Sequence, residues 1–210
     1  MTDPTRLILV RHGQTAHNKT RRVQGHIDEP LDELGREQAH KVARHFRQLG
    51  IRGPRLESSD LSRAYATAQA IQAETGGILE TYPALREISM GEWEGQMYDE
   101  LAVSDAELHE QFWSGDPSIR ARGGESAQEV AERVYAHALA HWPRAGETVI
   151  LVSHGIAIGA LLTRLLEQDY QTQFRSGQFM HRNTGYSILE VDPLTREILN
   201  SQIGQTPHLD

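Results

Sequence analysis

The sequence predicts an α/β fold, a three-layer sandwich in which a mostly parallel central sheet carries helices on both faces. Three observations lead there. Leu7–Val10 ("LILV") and Val149–Val152 ("VILV") are runs of four apolar residues without polar alternation, the pattern of strands buried on both sides. Stripes of apolar residues at helical spacing lie between and after them. Strand-like and helix-like segments alternate along the chain, which is how parallel strands are connected.

Taken in order, the first strand runs into Arg11, His12 and Gly13. Gly13 is expected to permit a sharp turn or a positive φ, with Asn18 closing a short polar loop. Ala39, Val42, Ala43 and Phe46 share one helical face, and Gly50 stops that helix. "ESSDLSRAYATAQ", Glu57 to Gln69, reads as a strand end entering a helix near Asp60, with Leu61, Ala64, Ala68 and Ile71 as its stripe before Gly76. Ser126 and Glu129 have capping-box spacing, so a further helix starts at Ser126 and continues through Ala127, Val130, Ala131 and Val134. "TVILVSHG" supplies the next strand, and Ile158, Leu161, Leu162, Leu165 and Leu166 the next helix. Tyr186–Val191 and Arg196–Ser201 read as late strands, while Arg120–Ser126 and the terminal "GQTPHLD" read as loops.

A chain of 210 residues with 38% hydrophobic and 24% charged residues is enough for one domain over 1–210 with a well-buried core. No apolar stretch is long enough to span a bilayer, and the start "MTDPTR" has no signal-peptide core, so a cytoplasmic protein without membrane partners is expected. The chain has no cysteine, which excludes disulfides, thiol nucleophiles and Cys-ligated metals. Its net charge of -8 argues against general attraction to nucleic acid. A homodimer is compatible with all of this.

Both central strands end in a His-Gly pair, His12-Gly13 and His154-Gly155. Parallel strands place their carboxyl ends on one rim, where open α/β sheets bind ligands, so His12 and His154 should meet there. Arg63 falls in the first turn of its helix. A cation there opposes the helix dipole, an arrangement that makes sense if an anion is held between Arg63 and helix amides. Arg11 adds a second guanidinium. Arginine forks match phosphate oxygens and a neutral imidazole can attack phosphorus, so the expected ligand is a phosphoryl group.

"LVRHGQT" with Asn18, "SDLSRAYATA", "LREISMGEWEG", "GGES" and "LVSHG" stand in the order seen in the histidine phosphatase superfamily, the phosphoglycerate mutase-like enzymes, which the chain resembles from Leu7 to about Gly155. The resemblance implies His12 as the nucleophile that becomes phosphohistidine, with Arg11, Arg63 and His154 completing the phosphate pocket. It implies Glu87 as proton donor to the leaving oxygen and then as base for water. The residues alone do not rank Glu87 above Glu92 and Glu94. Asn18, Gln24, Gly25 and Gly155 match positions that line the pocket. No cofactor and no catalytic metal are expected.

His137 and His141 are four apart on a predicted helix, but without the Glu of a zinc-protease motif they read as a solvated face. His17, His26, His40, His45, His109, His181 and His208 read as surface or packing residues, and Arg21, Arg22 and Arg36 as cations that steer an anionic substrate or solvate the rim. Within the superfamily, Cofactor-dependent mutases differ in the segment after the acid and carry Asn after the second His-Gly, where this chain has Ile156. That difference and the chain's length favour a phosphomonoester hydrolase acting on a small phosphorylated metabolite. Mutase-type phosphoryl transfer and a non-catalytic phospho-ligand-binding protein are the alternatives. The sequence carries no code for the substrate, which leaves sugar phosphates, phosphoglycerates, nucleotides and α-ribazole phosphate open.

Overall fold

The computed structural model describes residues 4–210. Its strands are β1 (Arg6–Arg11), β2 (Arg55–Ser58), β3 (Ile78–Thr81), β4 (Thr148–Ser153), β5 (Tyr186–Val191) and β6 (Ile198–Gln205). They form one sheet in the order β3-β2-β4-β1-β5-β6. The first four in chain order are mutually parallel where they pair, while β5 and β6 extend the sheet antiparallel. The helices are α1 (Ala16–Thr20), α2 (Glu33–Gln48), α3 (Ser62–Thr75), α4 (Tyr98–Ser104), α5 (Ala106–Trp113), α6 (Ala127–Ala140), α7 (Gly155–Leu165) and α8 (Tyr170–Ser176).

The unalternating run in β1 is explained by burial on both sides. Leu7 and Leu9 join α6 and α7 in one core cluster, whereas Ile8 and Val10 join α2 and α3 in the other. The sheet therefore separates two apolar layers, as the pattern predicts. The α6 capping box is present, with Ser126 accepting from the Glu129 N–H and Glu129 accepting from the Ser126 N–H. Asp32 caps α2 through the Gly35 N–H at 2.7 Å.

Several expectations shift. Gly13 does not take a positive φ; it is glycine because a Cβ would run into the Gly35 carbonyl, where the His12 loop crosses the start of α2. The last strand continues to Gln205, because β5 supplies a ladder partner out to the Tyr186–Gln205 pair. Part of the expected terminal loop is thus strand, followed by a 3₁₀ turn at Pro207–Leu209. The reading also lacks β3, a four-residue edge strand with an exposed pattern, and the short helices α1, α4, α5 and α8. Arg120–Ser126 is loop, closed by a bridge between its ends.

Candidate active site

The register of β1 and β4 sets the centre of the site. Arg11 pairs with Ser153, so the next residues on each strand, His12 and His154, stand side by side with ring centroids 5.0 Å apart. The His12 N–H donates to the Ser153 carbonyl at 3.0 Å. His12 Nδ1 lies 2.7 Å from the Gly13 carbonyl, which can only accept, so Nδ1 carries the ring proton and Nε2 keeps its lone pair. Burial first, and then the Arg63 and Arg11 charges, hold the His12 imidazole well below its usual pKa, and it is neutral at pH 7.

His154 has the opposite tautomer. Its Nδ1 accepts from Arg63 Nε at 3.3 Å, which places the proton on Nε2. That Nε2 is buried without a partner among the described residues, as is Arg11 Nε. Burial, followed by the Arg63 charge, pushes the His154 pKa well down as well. Arg63 is fully buried and is locked by the carbonyls of Ile27 and Gly25, each at 2.8 Å. Burial lowers its pKa to about 10, so it stays cationic at neutral pH. Arg11 Nη1 donates to the His181 carbonyl at 2.6 Å. The helix amides are only partly free for an anion, contrary to expectation: the Ser62 N–H at the start of α3 is taken by Asp28 Oδ1 at 2.6 Å.

The three carboxylates that sequence could not rank are separated by the fold. Glu87 accepts from the N–H groups of Ile156 at 3.2 Å and Ala157 at 3.0 Å, at the positive end of α7, and its side chain lines the same pocket as His12. Glu94 is spent on the His26 and Met90 N–H groups, and Glu92 is exposed. The Glu87 carbonyl is held at 2.8 Å by Arg133 Nη2 and by His26 Nε2. Arg133 also takes the carbonyls of Ala84 and Arg86.

The pocket has a volume of about 520 Å³ and includes Arg11, His12, Asn18, Gln24, Gly25, Arg63, Glu87 and Gly155, with His154 buried behind. Asn18 completes the α1 capping box and accepts from Asn183; Gln24 Oε1 accepts from the Thr15 hydroxyl at 2.8 Å. Gly25 has φ +52, and a Cβ there would collide with Glu94. Arg21 and Arg22 reach the pocket, as do His17 and His109, which sequence assigned to surface or packing. Arg36 does not; its guanidinium donates to the Leu31 carbonyl. The wall opposite the strand ends carries Tyr98, Trp113, Met90 and Met180. The concentration of aromatics between residues 98 and 113 was the available signal for it.

His137 and His141 overturn the reading of a solvated face. His137 is 8% exposed, and both rings bond the fully buried carboxylate of Glu57, a partner on β2 that helical spacing cannot reveal.

A profile of the histidine phosphatase superfamily (branch 1) matches residues 7–203. The chain belongs to this superfamily. It is 40% identical over 207 residues to a protein of Yersinia pestis (strain Pestoides F) named as a probable phosphoglycerate mutase, covering 96% of this chain and 94% of that one. Among solved structures it is similar to a mycobacterial glucosyl-3-phosphoglycerate phosphatase in complex with VO3, at 30% identity and a TM-score of 0.83, covering 96% and 100% of the two chains. It is also similar to YhfR of Bacillus stearothermophilus, at 28% identity and a TM-score of 0.84, covering 98% and 100%. Like these superfamily structures, it has an α/β fold with a central sheet of six strands between helical layers. No described helix is long and apolar enough to cross a membrane.

Proposed function

We propose that the chain, read as one domain over 1–210, hydrolyses a phosphomonoester through a phosphohistidine on His12. The observation that carries this is the pair of buried, unpartnered N–H donors, Arg11 Nε and His154 Nε2, beside an imidazole whose tautomer leaves Nε2 free. Buried donors are rarely left unpaired, and a phosphoryl group between them would accept from both while presenting phosphorus to His12.

In the first step His12 Nε2 forms a bond to phosphorus as the bond to the leaving oxygen breaks, and Glu87 gives that oxygen its proton. In the second, water attacks phosphorus, Glu87 takes the water proton, and the P–N bond breaks to release phosphate and restore His12. Arg11, Arg63 and His154 stabilise charge on the phosphoryl oxygens throughout, the main task in phosphoryl transfer. No step calls for a metal ion. Asn18, Gln24, Gly25 and Gly155 shape the phosphate end. The mycobacterial neighbour's phosphatase name supports hydrolysis of a small phosphorylated metabolite.

Mutase-type transfer to a second hydroxyl is supported by the name of the Yersinia relative. Chain length does not separate the two activities, since that relative is covered to 94%. Ile156, which has no hydrogen-bonding side chain, supports hydrolysis. Acid quenching destroys the P–N bond, so the test is quenching in base during turnover. The wild type is expected to carry base-stable, acid-labile phosphate on His12. Phosphate on Ser58, Ser59 or Ser62 instead would overturn the assignment, and conversion of one phosphoglycerate isomer to the other without phosphate release would select the mutase reading.

A further inference from the structure

Behind the sheet rim, on the face covered by α6, three side chains converge that the proposed reaction does not use. Glu57 lies in the middle of β2 and is fully buried. His137 Nε2 stands 2.7 Å from Glu57 Oε2, and His141 Nδ1 stands 3.0 Å from Glu57 Oε1. The two rings, one helical turn apart, stack with centroids 4.3 Å apart at 23°. One donor atom from each of the three residues falls within 4.8 Å of the others.

We propose that Glu57, His137 and His141 bind a divalent transition-metal ion of the zinc type, in a site separate from the phosphate pocket. The donor set, two imidazoles and a carboxylate, suits a borderline cation. Ligand atoms around a tetrahedral Zn²⁺ with bonds of about 2.0–2.1 Å stand about 3.3 Å apart; each imidazole nitrogen already stands 2.7 or 3.0 Å from its own oxygen of the Glu57 carboxylate, and one donor atom from each residue lies within 4.8 Å of the others, so small side-chain shifts bring all three round one ion. Binding requires both imidazoles to be neutral, with their protons on the nitrogens turned away from Glu57.

The carboxylate of Glu57 is not fully taken up by its cation. Arg55 pairs with Glu57, but its Nε also lies 3.0 Å from Glu147 Oε1 and its Nη2 donates to the His141 carbonyl at 2.8 Å. Two carboxylates therefore share one guanidinium, and these three groups sum to one negative charge. A divalent ion on Glu57 leaves Arg55 to Glu147 without stranding either. The Tyr82 ring, 4.7 and 4.9 Å from the two imidazole centroids, covers one side, and the 29% exposure of His141 gives the ion its path in and a water its place as fourth ligand. The ion would pin α6 to β2 one turn beyond Arg133, the residue that holds the Glu87 carbonyl.

The test uses the whole chain, stripped with a chelator and titrated with Co²⁺ and then Zn²⁺. The wild type is expected to bind one Co²⁺ with the intense visible absorption of a four-coordinate ion, to lose that absorption when Zn²⁺ displaces it, and to unfold at a higher temperature with Zn²⁺. Glu57→Gln removes a buried charge and can fail to fold, so His141→Gln, at the partly exposed end of α6, is the deciding variant. It should melt cooperatively without metal, bind Co²⁺ more weakly by at least the roughly 100-fold that upper-range losses of a supporting partner produce, and show no zinc-dependent rise. A wild type without the four-coordinate spectrum, or a His141→Gln protein with the same spectrum and the same rise, would overturn the proposal.

Discussion

The floor of the pocket and its outer wall are built by different means. On the floor, His12, Arg63 and His154 are 2%, 0% and 0% exposed, and each is fixed by a backbone carbonyl or by another floor side chain. The outer wall takes its aromatic part from α4 and α5, helices of seven and eight residues with one buried residue each, Leu101 and Phe112. Its rings lean on one another, Trp113 stacking on Phe174 at 5.4 Å and meeting Tyr98 at 5.8 Å. A phosphoryl group has one geometry in every substrate, so preorganised charge suits it. A leaving group varies, and an apolar wall with few directional bonds accommodates it.

If the floor carries the chemistry, breaking it must cost far more than altering the wall. His12→Ala should lower the rate of phosphate release by on the order of 10⁵-fold or more, the scale seen when a covalent nucleophile is removed, while binding of inorganic phosphate survives. Steady-state assays with p-nitrophenyl phosphate and a direct phosphate-binding titration check both halves. A variant that keeps even a tenth of the activity would refute the covalent route.

Glu87 sits where floor and wall meet, and its expected effect depends on the leaving group. An alkoxide leaves poorly without a proton, whereas p-nitrophenolate does not need one. Glu87→Gln should therefore slow single-turnover release of an alkyl alcohol by roughly 100- to 10,000-fold and leave nitrophenol release much less affected. Equal losses on both would mean that Glu87 positions the phosphate, and that the proton comes from another group.

The floor was legible in the sequence and the wall was not, for a physical reason. Strand burial and the His-Gly pairs announce where β1 and β4 end on a common rim, and the structure's one-to-one parallel pairing of these two strands sets His12 beside His154. Arg63 follows from the helix start. Glu87 needed the family resemblance, because only the docking of its loop onto the first turn of α7 distinguishes it from Glu92 and Glu94. The wall offers only its cluster of aromatics: α4 and α5 are too short for a stripe, and Trp113 stacks on Phe174, more than sixty residues away in sequence. Glu57 was hidden for the same reason. A polar residue in a four-residue strand gives no hint that two histidines from a distant helix will cover it.

Burial of the floor histidines also sets a pH limit on stability. Burial and the neighbouring arginines keep His12 neutral in the folded state well below 6.5, whereas the unfolded chain protonates it near 6.5. Below that pH the unfolded state binds the extra proton, so stability is lost as pH falls and is fully present above about 7. Each histidine that stays neutral contributes about 1.4 kcal/mol of loss per pH unit in that window. Urea unfolding at pH 7, 6 and 5 should show the wild type losing about 1.4 kcal/mol more than His12→Asn between pH 6 and 5. Parallel curves would mean that His12 titrates in the folded protein at its ordinary value.

The smallest effect is expected on the wall. Trp113 lines the pocket and is supported by Phe112 and Phe174, so on the proposed mechanism it would touch a leaving group and stand apart from a phosphate bound at Arg11 and Arg63. Trp113→Ala should raise KM for an aryl phosphate by about tenfold, equivalent to about 1.4 kcal/mol of lost apolar contact, and leave kcat within about twofold. Competitive inhibition by inorganic phosphate, which reaches only the floor, should not change. This pair of measurements separates the two regions directly, because a wall that merely covers the site affects the larger ligand alone. A matching rise in the inhibition constant for phosphate, or a fall in kcat as large as the rise in KM, would show that α5 holds the floor in place and that the two regions act as one.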